Sequence, residues 1–296
     1  MKQLTGNVYY FESYPTVSMA VTPAGCIAID GPMKPTDAVK WGEFIRSKGP
    51  LRYQIVTEHH QDHICSAHYM KPEVVISSEI TYAEFYKSVA NAEEGRQRML
   101  KYDPAAAGPL LDGFEMRPPD MTYKERLTIR LGGRSFVVFH GAGHTRGQSM
   151  VHAVEDRVLF ASDNISPGMG VAFHSADVWG WFRTLGTMEA LDVDWYIPGH
   201  GAPCKKDEFT RQREKMLDLL QMVREAKNKG MSREECQRTI NFLDDYFEKK
   251  GYDRPRLLGE RSYMLMRGAI GNIYDYLDDH PTGGLHTRFD HVWENI

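Results

Sequence analysis

The chain is poor in cysteine, with four in 296 residues, and none of Cys26, Cys65, Cys204 and Cys236 belongs to a C-x-x-C pair. That scatter fits reduced thiols in a cytoplasmic protein better than a disulfide framework. An excess of charge of one sign is missing too. Lys and Arg number 36 against 40 Asp and Glu, a formal net charge of −4, so there is no basic footprint for nucleic acid. No apolar run approaches the roughly 18 residues of a membrane span, and Met1 to Asn7 has no apolar leader core. Neither a membrane partner nor secretion is expected. Internal repeats and low-complexity segments are absent as well. What the chain does hold, at 42% hydrophobic residues, is enough apolar material for a full core.

Apolar runs bounded by turn residues predict strands at 7–11, 16–21, 26–29, 53–56 and 73–76. Between them, Ala38, Val39, Trp41, Phe44 and Ile45 fall at helical spacing, which predicts a helix capped by Thr36 and running to about Ser47. A longer helical stretch follows from about Ser78 to Leu100. Residues 103–122 are rich in Pro, Gly and Ala and read as a loop or lid-like insertion. Strand pairs are expected around Gly132-Gly133 and around Glu155-Asp156, then a helix capped by Ser175 and ending near Ala190, then a strand at Trp195-Tyr196-Ile197. After residue 205 the pattern is helical, with Ser232-x-x-Glu235 as a capping box. The organisation expected is a catalytic domain over 1–204, with an insertion at about 78–122, and a C-terminal helical subdomain over 205–296.

Four strand-to-loop junctions carry metal-type ligands. They are Glu58-x-His60-x-Asp62-His63, Gly143-His144-Thr145, Asp163 after Leu159-Phe160-Ala161-Ser162, and Pro198-Gly199-His200-Gly201. Each follows an apolar strand, so loops from one sheet edge can converge on a point. Glycines beside His144 and His200 permit the close backbone approach that a crowded pocket needs. Mixed imidazole and carboxylate donors suit Zn, Fe or Mn.

With these motifs in this order, the chain resembles the metallo-β-lactamase superfamily over about residues 5 to 204. The resemblance implies an α+β fold, an αββα sandwich of two β-sheets with helices on both outer faces, here with a C-terminal helical extension. It also implies two divalent metal ions. One would be held by His60, His144 and the residue at position 58, the other by Asp62, His63 and His200, with Asp163 bridging. The family's first motif reads His-x-His-x-Asp-His, and this chain has Glu58 in place of the first His. A glutamate brings negative charge and a harder oxygen donor, which shifts preference from Zn toward Fe or Mn. His59 competes with Glu58 for the first ligand position.

The activity implied is that of a metal-dependent hydrolase, in which the ions deliver hydroxide to a small organic substrate such as a lactone, ester, amide or thioester. Asp62 would steer the hydroxide and shuttle a proton. Glu58 also admits a diiron, oxygen-dependent oxidoreductase of the same fold, and a third reading is a non-catalytic binding or regulatory protein. Arg146, beside the His144 loop, is placed to receive a substrate carboxylate. Phe173 and His174 follow Asp163 where substrate would approach, and Tyr86 is a candidate for the pocket mouth. Asp30, at the end of a strand, either orients a metal-site histidine or serves the turn before Gly31-Pro32. The last helix, with Met264, Met266 and Tyr274, admits a homodimer face.

Overall fold

A computed structural model describes residues 1–89, 92–106, 108–168, 171–243 and 260–279. Its elements form two compact units. One comprises Met1–Gly141, Gly147–Asp163 and Asp192–Cys204; the other comprises Ala142–Arg146, Asn164–Leu191 and the described residues from Lys205 onward. Segments 142–146 and 164–191 thus fall in the second unit, together with the described residues from Lys205 onward.

The first unit holds both sheets. Strands β1 (Lys2–Gln3), β2 (Val8–Glu12), β3 (Thr16–Thr22), β4 (Gly25–Ile29), β5 (Leu51–Ile55), β6 (Val74–Ser78) and β7 (Met121–Tyr123) form a seven-stranded sheet in chain order. The pairs up to β3–β4 are antiparallel and those from β4–β5 onward are parallel. Strands β8 (Arg126–Leu131), β9 (Arg134–His140), β10 (Ser149–Ala153), β11 (Val158–Ser162) and β12 (Trp195–Pro198) form a second sheet in the order β12-β11-β10-β9-β8. Within it only β11 and β12 run parallel.

Period-two alternation explains how the sheets stack. On β4, Ile27 and Ile29 join Val8, Ala20, Ile55 and Ile76 against Phe136, Val138, Val151, Phe160 and Ile197 of the other sheet. Their neighbours Cys26 and Ala28 point the opposite way, packing with Val17 and Met19 against Trp41 and Ile45 of helix α1 (Pro35–Lys48). Short helices α2 (Gln61–Ile64) and α3 (Ala67–Met70) follow β5. The long helix expected over 78–100 is two helices, α4 (Glu79–Val89) and α5 (Ala92–Tyr102), anchored through Phe85 and Met99 beside Phe114.

Two expected caps are corrected. Thr36 lies inside α1, whose N-cap is Lys34 without a side-chain bond. The orphan N–H of Thr36 and its hydroxyl both donate to Asp103 Oδ2, at 2.9 and 2.8 Å, so a buried residue far along the chain serves as the cap. Asp103→Ala is expected to cost about 1–2 kcal/mol, the range of a lost helix cap, and more than Thr36→Ala. Chemical denaturation of the two variants checks the ranking.

The second unit is helical, with α6 (Val178–Glu189), α7 (Asp207–Asn228), α8 (Arg233–Thr239) and α9 (Glu260–Asp279). Ser175 belongs to a one-turn 3-10 segment, and α6 is capped instead by Asp177, whose Oδ1 accepts the Gly180 N–H at 2.8 Å. The expected capping box at Ser232 and Glu235 is present on α8. On α7 the buried stripe is Phe209, Met216, Leu219, Leu220 and Val223. Among the described residues no helix is long and apolar enough to cross a membrane.

Candidate metal site

In a parallel pair both strands release their loops at the same edge. Parallel β4 and β5 thus end together at Asp30 and Thr57, while parallel β11 and β12 end together at Asp163 and His200. Chain direction alone places three segments with candidate ligands, and Asp30 beside them, at the carboxyl ends of parallel strands in the first unit.

The side chains there are close-packed. Ligand atoms of Asp62, His63 and His200 all lie within 4.8 Å of one another. His200 Nε2 stands 3.4 Å from Asp62 Oδ2 and 3.5 Å from Asp163 Oδ2. His63 Nε2 stands 3.4 Å from Glu58 Oε1, 3.5 Å from Asp163 Oδ1 and 3.9 Å from Asp62 Oδ2. Asp163 thus faces both imidazoles, one with each oxygen. Glu58 is fully buried, and its Oε2 lies 2.7 Å from His60 Nδ1. The His59 ring lies 4.8 Å from the His60 ring, tilted by 46°.

Asp30 orients His63. Its Oδ2 lies 2.9 Å from His63 Nδ1; because a carboxylate can only accept, Nδ1 carries the proton and Nε2 is the nitrogen turned toward Glu58, Asp62 and Asp163. The same carboxylate accepts the Thr57 N–H at 2.8 Å and the Thr57 hydroxyl at 2.7 Å. Ser162, next to Asp163, lies 2.7 Å from the Thr57 hydroxyl, so one buried chain of hydrogen bonds joins the ends of β4, β5 and β11. On the far side Thr16 fixes the His200 loop, its N–H donating to the Gly199 carbonyl at 2.7 Å and its hydroxyl to the Gly201 carbonyl at 2.8 Å.

The donor chemistry fits a cation. His63 Nε2 is buried without a hydrogen-bond partner, yet three carboxylates surround it. Burial by itself lowers the basicity of His63, but the carboxylates of Asp30, Asp163 and Glu58 outweigh it and hold its pKa well above the ordinary value. His200 follows the same pattern: burial lowers, Asp163 and Asp62 raise, and the result is about 10. Burial would raise the Asp62 and Asp163 carboxyls, but the two imidazoles keep both well below the usual range. Protons therefore occupy His63 and His200 at neutral pH in the metal-free chain, and a metal ion must displace them. Metal uptake at pH 7 is expected to release about one proton per coordinating imidazole, with affinity rising as pH climbs toward about 10, the His200 value. Calorimetry in two buffers of different ionisation enthalpy reads this directly; uptake without proton release would contradict it.

His144 belongs to the second unit. Its Nδ1 donates to the Ala172 carbonyl at 3.1 Å, which leaves the lone pair on Nε2, and its backbone N–H donates to Asn164 Oδ1 at 3.0 Å. Gly143 is required beside it, since a Cβ there would fall 2.0 Å from Asn164 Oδ1. His174 lies edge-on to the His144 ring at 5.6 Å. Phe173, expected near substrate, is instead fully buried against Trp181, and its carbonyl accepts Asn272 Nδ2 at 2.6 Å; it is a packing residue. Arg146 is exposed at the end of its segment. Tyr86 is half exposed on α4, with Tyr82 and Phe85 as its ring contacts.

A two-sheet sandwich that gathers imidazoles and carboxylates at the ends of its strands defines a metal-site fold. A family model of the metallo-beta-lactamase superfamily matches residues 41–200, more than half of the chain, and the chain belongs to that superfamily. Its members are typically metal-dependent hydrolases. Among solved structures, the metallo-beta-lactamase from Pontibacter korlensis matches with a TM-score of 0.58 at 16% identity, covering 73% of this chain and 97% of that one. DIM-1 metallo-beta-lactamase matches with 0.58 at 15%, over 73% and 96% of the two chains. The enzyme from Hirschia baltica gives 0.53 at 14%, over 72% and 95%. At these identities the likeness speaks to the fold alone. No curated protein matches the chain.

Proposed function

We propose that this protein is a hydrolase that uses two divalent cations to cleave a small organic substrate, a lactone, ester, amide or thioester. The observation that carries the reading is the close meeting of His63 and His200 with the carboxylates of Glu58, Asp62 and Asp163. The proposed ligands are Glu58, His60 and His144 for one ion and Asp62, His63 and His200 for the other, with Asp163 between them. His144 enters this set through the Gly143-His144-Thr145 motif of the sequence. When bound, such ions bring the pKa of water toward neutrality and polarise a carbonyl oxygen.

The residues of the chain then do the rest. Asp62, kept ionised by its imidazole neighbours, orients the attacking water. Asp30 holds the His63 ring in its coordinating tautomer. No side-chain nucleophile is needed, and Cys65, three residues after Asp62, is no candidate: burial pushes its thiol up to about 12, so it stays protonated and inert.

Glu58 favours a second reading, an oxygen-dependent diiron enzyme, because a buried carboxylate in the first ligand set suits iron better than three imidazoles do. Elemental analysis of protein grown with Zn, Mn and Fe all available separates the two. About two equivalents of Zn support hydrolysis, and ester and lactone panels follow. Predominant iron with a visible absorption band and oxygen uptake supports the oxidoreductase. In either case Glu58→His is expected to shift the bound metal toward Zn, and an unchanged metal ratio would remove Glu58 as the selector.

A further inference from the structure

Helix α5 lies in the insertion between β6 and β7 and brings two side chains to the metal loop. Met99, fully buried with Phe85 and Phe114, anchors the helix, and Arg98 and Tyr102, four residues apart, share one helix face. Arg98 Nη1 donates to Gln61 Oε1 at 3.1 Å, and its Nη2 lies 3.9 Å from Asp62 Oδ1. The Tyr102 ring stacks on Tyr14 at 5.3 Å with an interplanar angle of 11°, and Tyr14 in turn lies 5.0 Å from the His200 ring. A guanidinium and a stacked aromatic pair therefore flank the ligand cluster, one beside Asp62 and the other beside His200. Arg98, Gln61, Tyr14, Tyr102, His60 and His200 are all partly exposed, unlike the buried Glu58, Asp62 and His63.

Arg98 differs from its neighbour on the same helix. Arg96 is committed to structure, donating to the Phe114 carbonyl at 2.8 Å. Arg98 bonds only a neutral amide, through Nη1, and the acidic oxygen its Nη2 approaches, Asp62 Oδ1, stands at 3.9 Å, beyond hydrogen-bond range. Asp62 is its one ion-pair partner among the described residues, and that carboxylate turns its other oxygen to His200 and His63. Asp62 thus divides its charge between Arg98 and the two imidazoles, and the partly exposed guanidinium keeps Nη hydrogens to offer. A planar guanidinium with unused donors is the side chain best suited to a carboxylate.

We infer that α5 is the specificity wall of this site: Arg98 receives an anionic group of the substrate, and the Tyr14–Tyr102 stack receives an adjacent apolar or aromatic portion. The substrate class is an amphiphilic carboxylate with a hydrolysable bond, an inference that rests on the hydrolase reading for the last feature only. The two parts of the wall make separable contributions, charge from Arg98 and stacking from the tyrosines.

The test uses the full-length, Zn-loaded chain and two probes of one shape, phenylacetate and its neutral amide phenylacetamide, with dissociation constants from calorimetry. Wild type is expected to prefer the acid by about tenfold, the strength of one charge-assisted contact in a partly exposed site. Arg98→Met should erase the preference by lowering the acid's affinity to that of the amide, and Arg98→Lys should restore part of it. Tyr102→Leu should weaken both probes alike, several-fold. An acid preference that survives in Arg98→Met would overturn the inference, because the metal would then be selecting the anion. So would loss of bound Zn from Arg98→Met without rescue of the preference in Arg98→Lys, which would make Arg98 a holder of Asp62. Hydrolysis is read separately on 4-nitrophenyl acetate. An Arg98-dependent preference without hydrolysis removes the hydrolase reading and keeps the wall; hydrolysis without that preference does the reverse.

Discussion

Asp30→Ala is expected to cost about 3–5 kcal/mol of folding stability, the range for removing one partner from a buried hydrogen-bonded charge network, and 10–100-fold in metal affinity, as for other partners of metal-ligating histidines. Asp30 is almost fully buried and its carboxylate satisfies three donors, the Thr57 N–H, the Thr57 hydroxyl and His63 Nδ1. Alanine leaves the Thr57 N–H and His63 Nδ1 without a partner in a place water does not reach, each carrying its desolvation penalty, while the Thr57 hydroxyl can still turn to Ser162 at 2.7 Å. The second consequence is chemical. Without Asp30 nothing selects the Nδ1–H tautomer of His63, and the Nε2 lone pair is no longer held toward the site.

Asp30→Asn separates the two effects. Its oxygen can still accept the Thr57 N–H, so much of the stability should remain. Its amide nitrogen, placed against His63, would turn Nδ1 into an acceptor and move the ring proton to Nε2, which then cannot coordinate. Metal affinity should therefore fall at least as far as in Asp30→Ala, at a smaller stability cost. Denaturant unfolding of the metal-free proteins and competition titration of Zn give the two numbers independently. Wild-type Zn affinity in either variant would show that His63 does not depend on Asp30.

Gly199→Ala should disable the site through a single methyl group. A Cβ at this position would lie 1.7 Å from Asp163 Oδ1 and 2.9 Å from both the Asp163 Cγ and its backbone nitrogen. Rotating the Asp163 side chain relieves the first contact but not the one with its backbone. The loop cannot retreat either, because Thr16 holds Gly199 and Gly201 by their carbonyls from the other side. The expected stability loss is about 1–3 kcal/mol, that of overpacking a close-packed interior. The functional loss is larger, since Asp163 meets both His63 and His200 and any displacement undoes both approaches. Gly199→Ala is expected to fold and yet retain less than about a tenth of wild-type metal affinity, since ligand placement within about half an ångström is what a metal site demands. A folded variant with full Zn content after gel filtration would sink this account.

The metal loops were legible in the sequence because each stands directly after an apolar strand and carries several donors within a few residues. Both the strand pattern and the donor spacing are local properties. The same holds for α1, the hairpin at Gly132-Gly133 and the capping box at Ser232, where period and turn chemistry act over a handful of residues. Asp30 was half legible: its place at a strand end was plain, but turn residue and histidine partner were equal readings until β5 was seen to end beside it, bringing Thr57 and His63 within reach.

What escaped the sequence depends on contacts between distant positions. Thr36 looked like a cap because Ser and Thr usually are, yet Asp103 caps that helix across 67 residues. Phe173 looked like a substrate contact by its nearness to Asp163 in the chain, while α6 and α9 bury it. Arg98 and Tyr102 stood in an unremarkable polar helix with no motif around them. Only the docking of α5 beside α2 and the strand preceding Pro15 turns them toward Gln61, Asp62 and Tyr14. The sequence alone thus determined the family, most of the strands and helices, and where the candidate donors fall in the chain, all of which are written in short-range pattern. The tertiary structure decided which oxygen faces which imidazole, which tautomer His63 takes, and which side chains border the cluster. Those depend on close packing between segments far apart in the chain, where tenths of an ångström separate a contact from a clash and no local signal reports the partner.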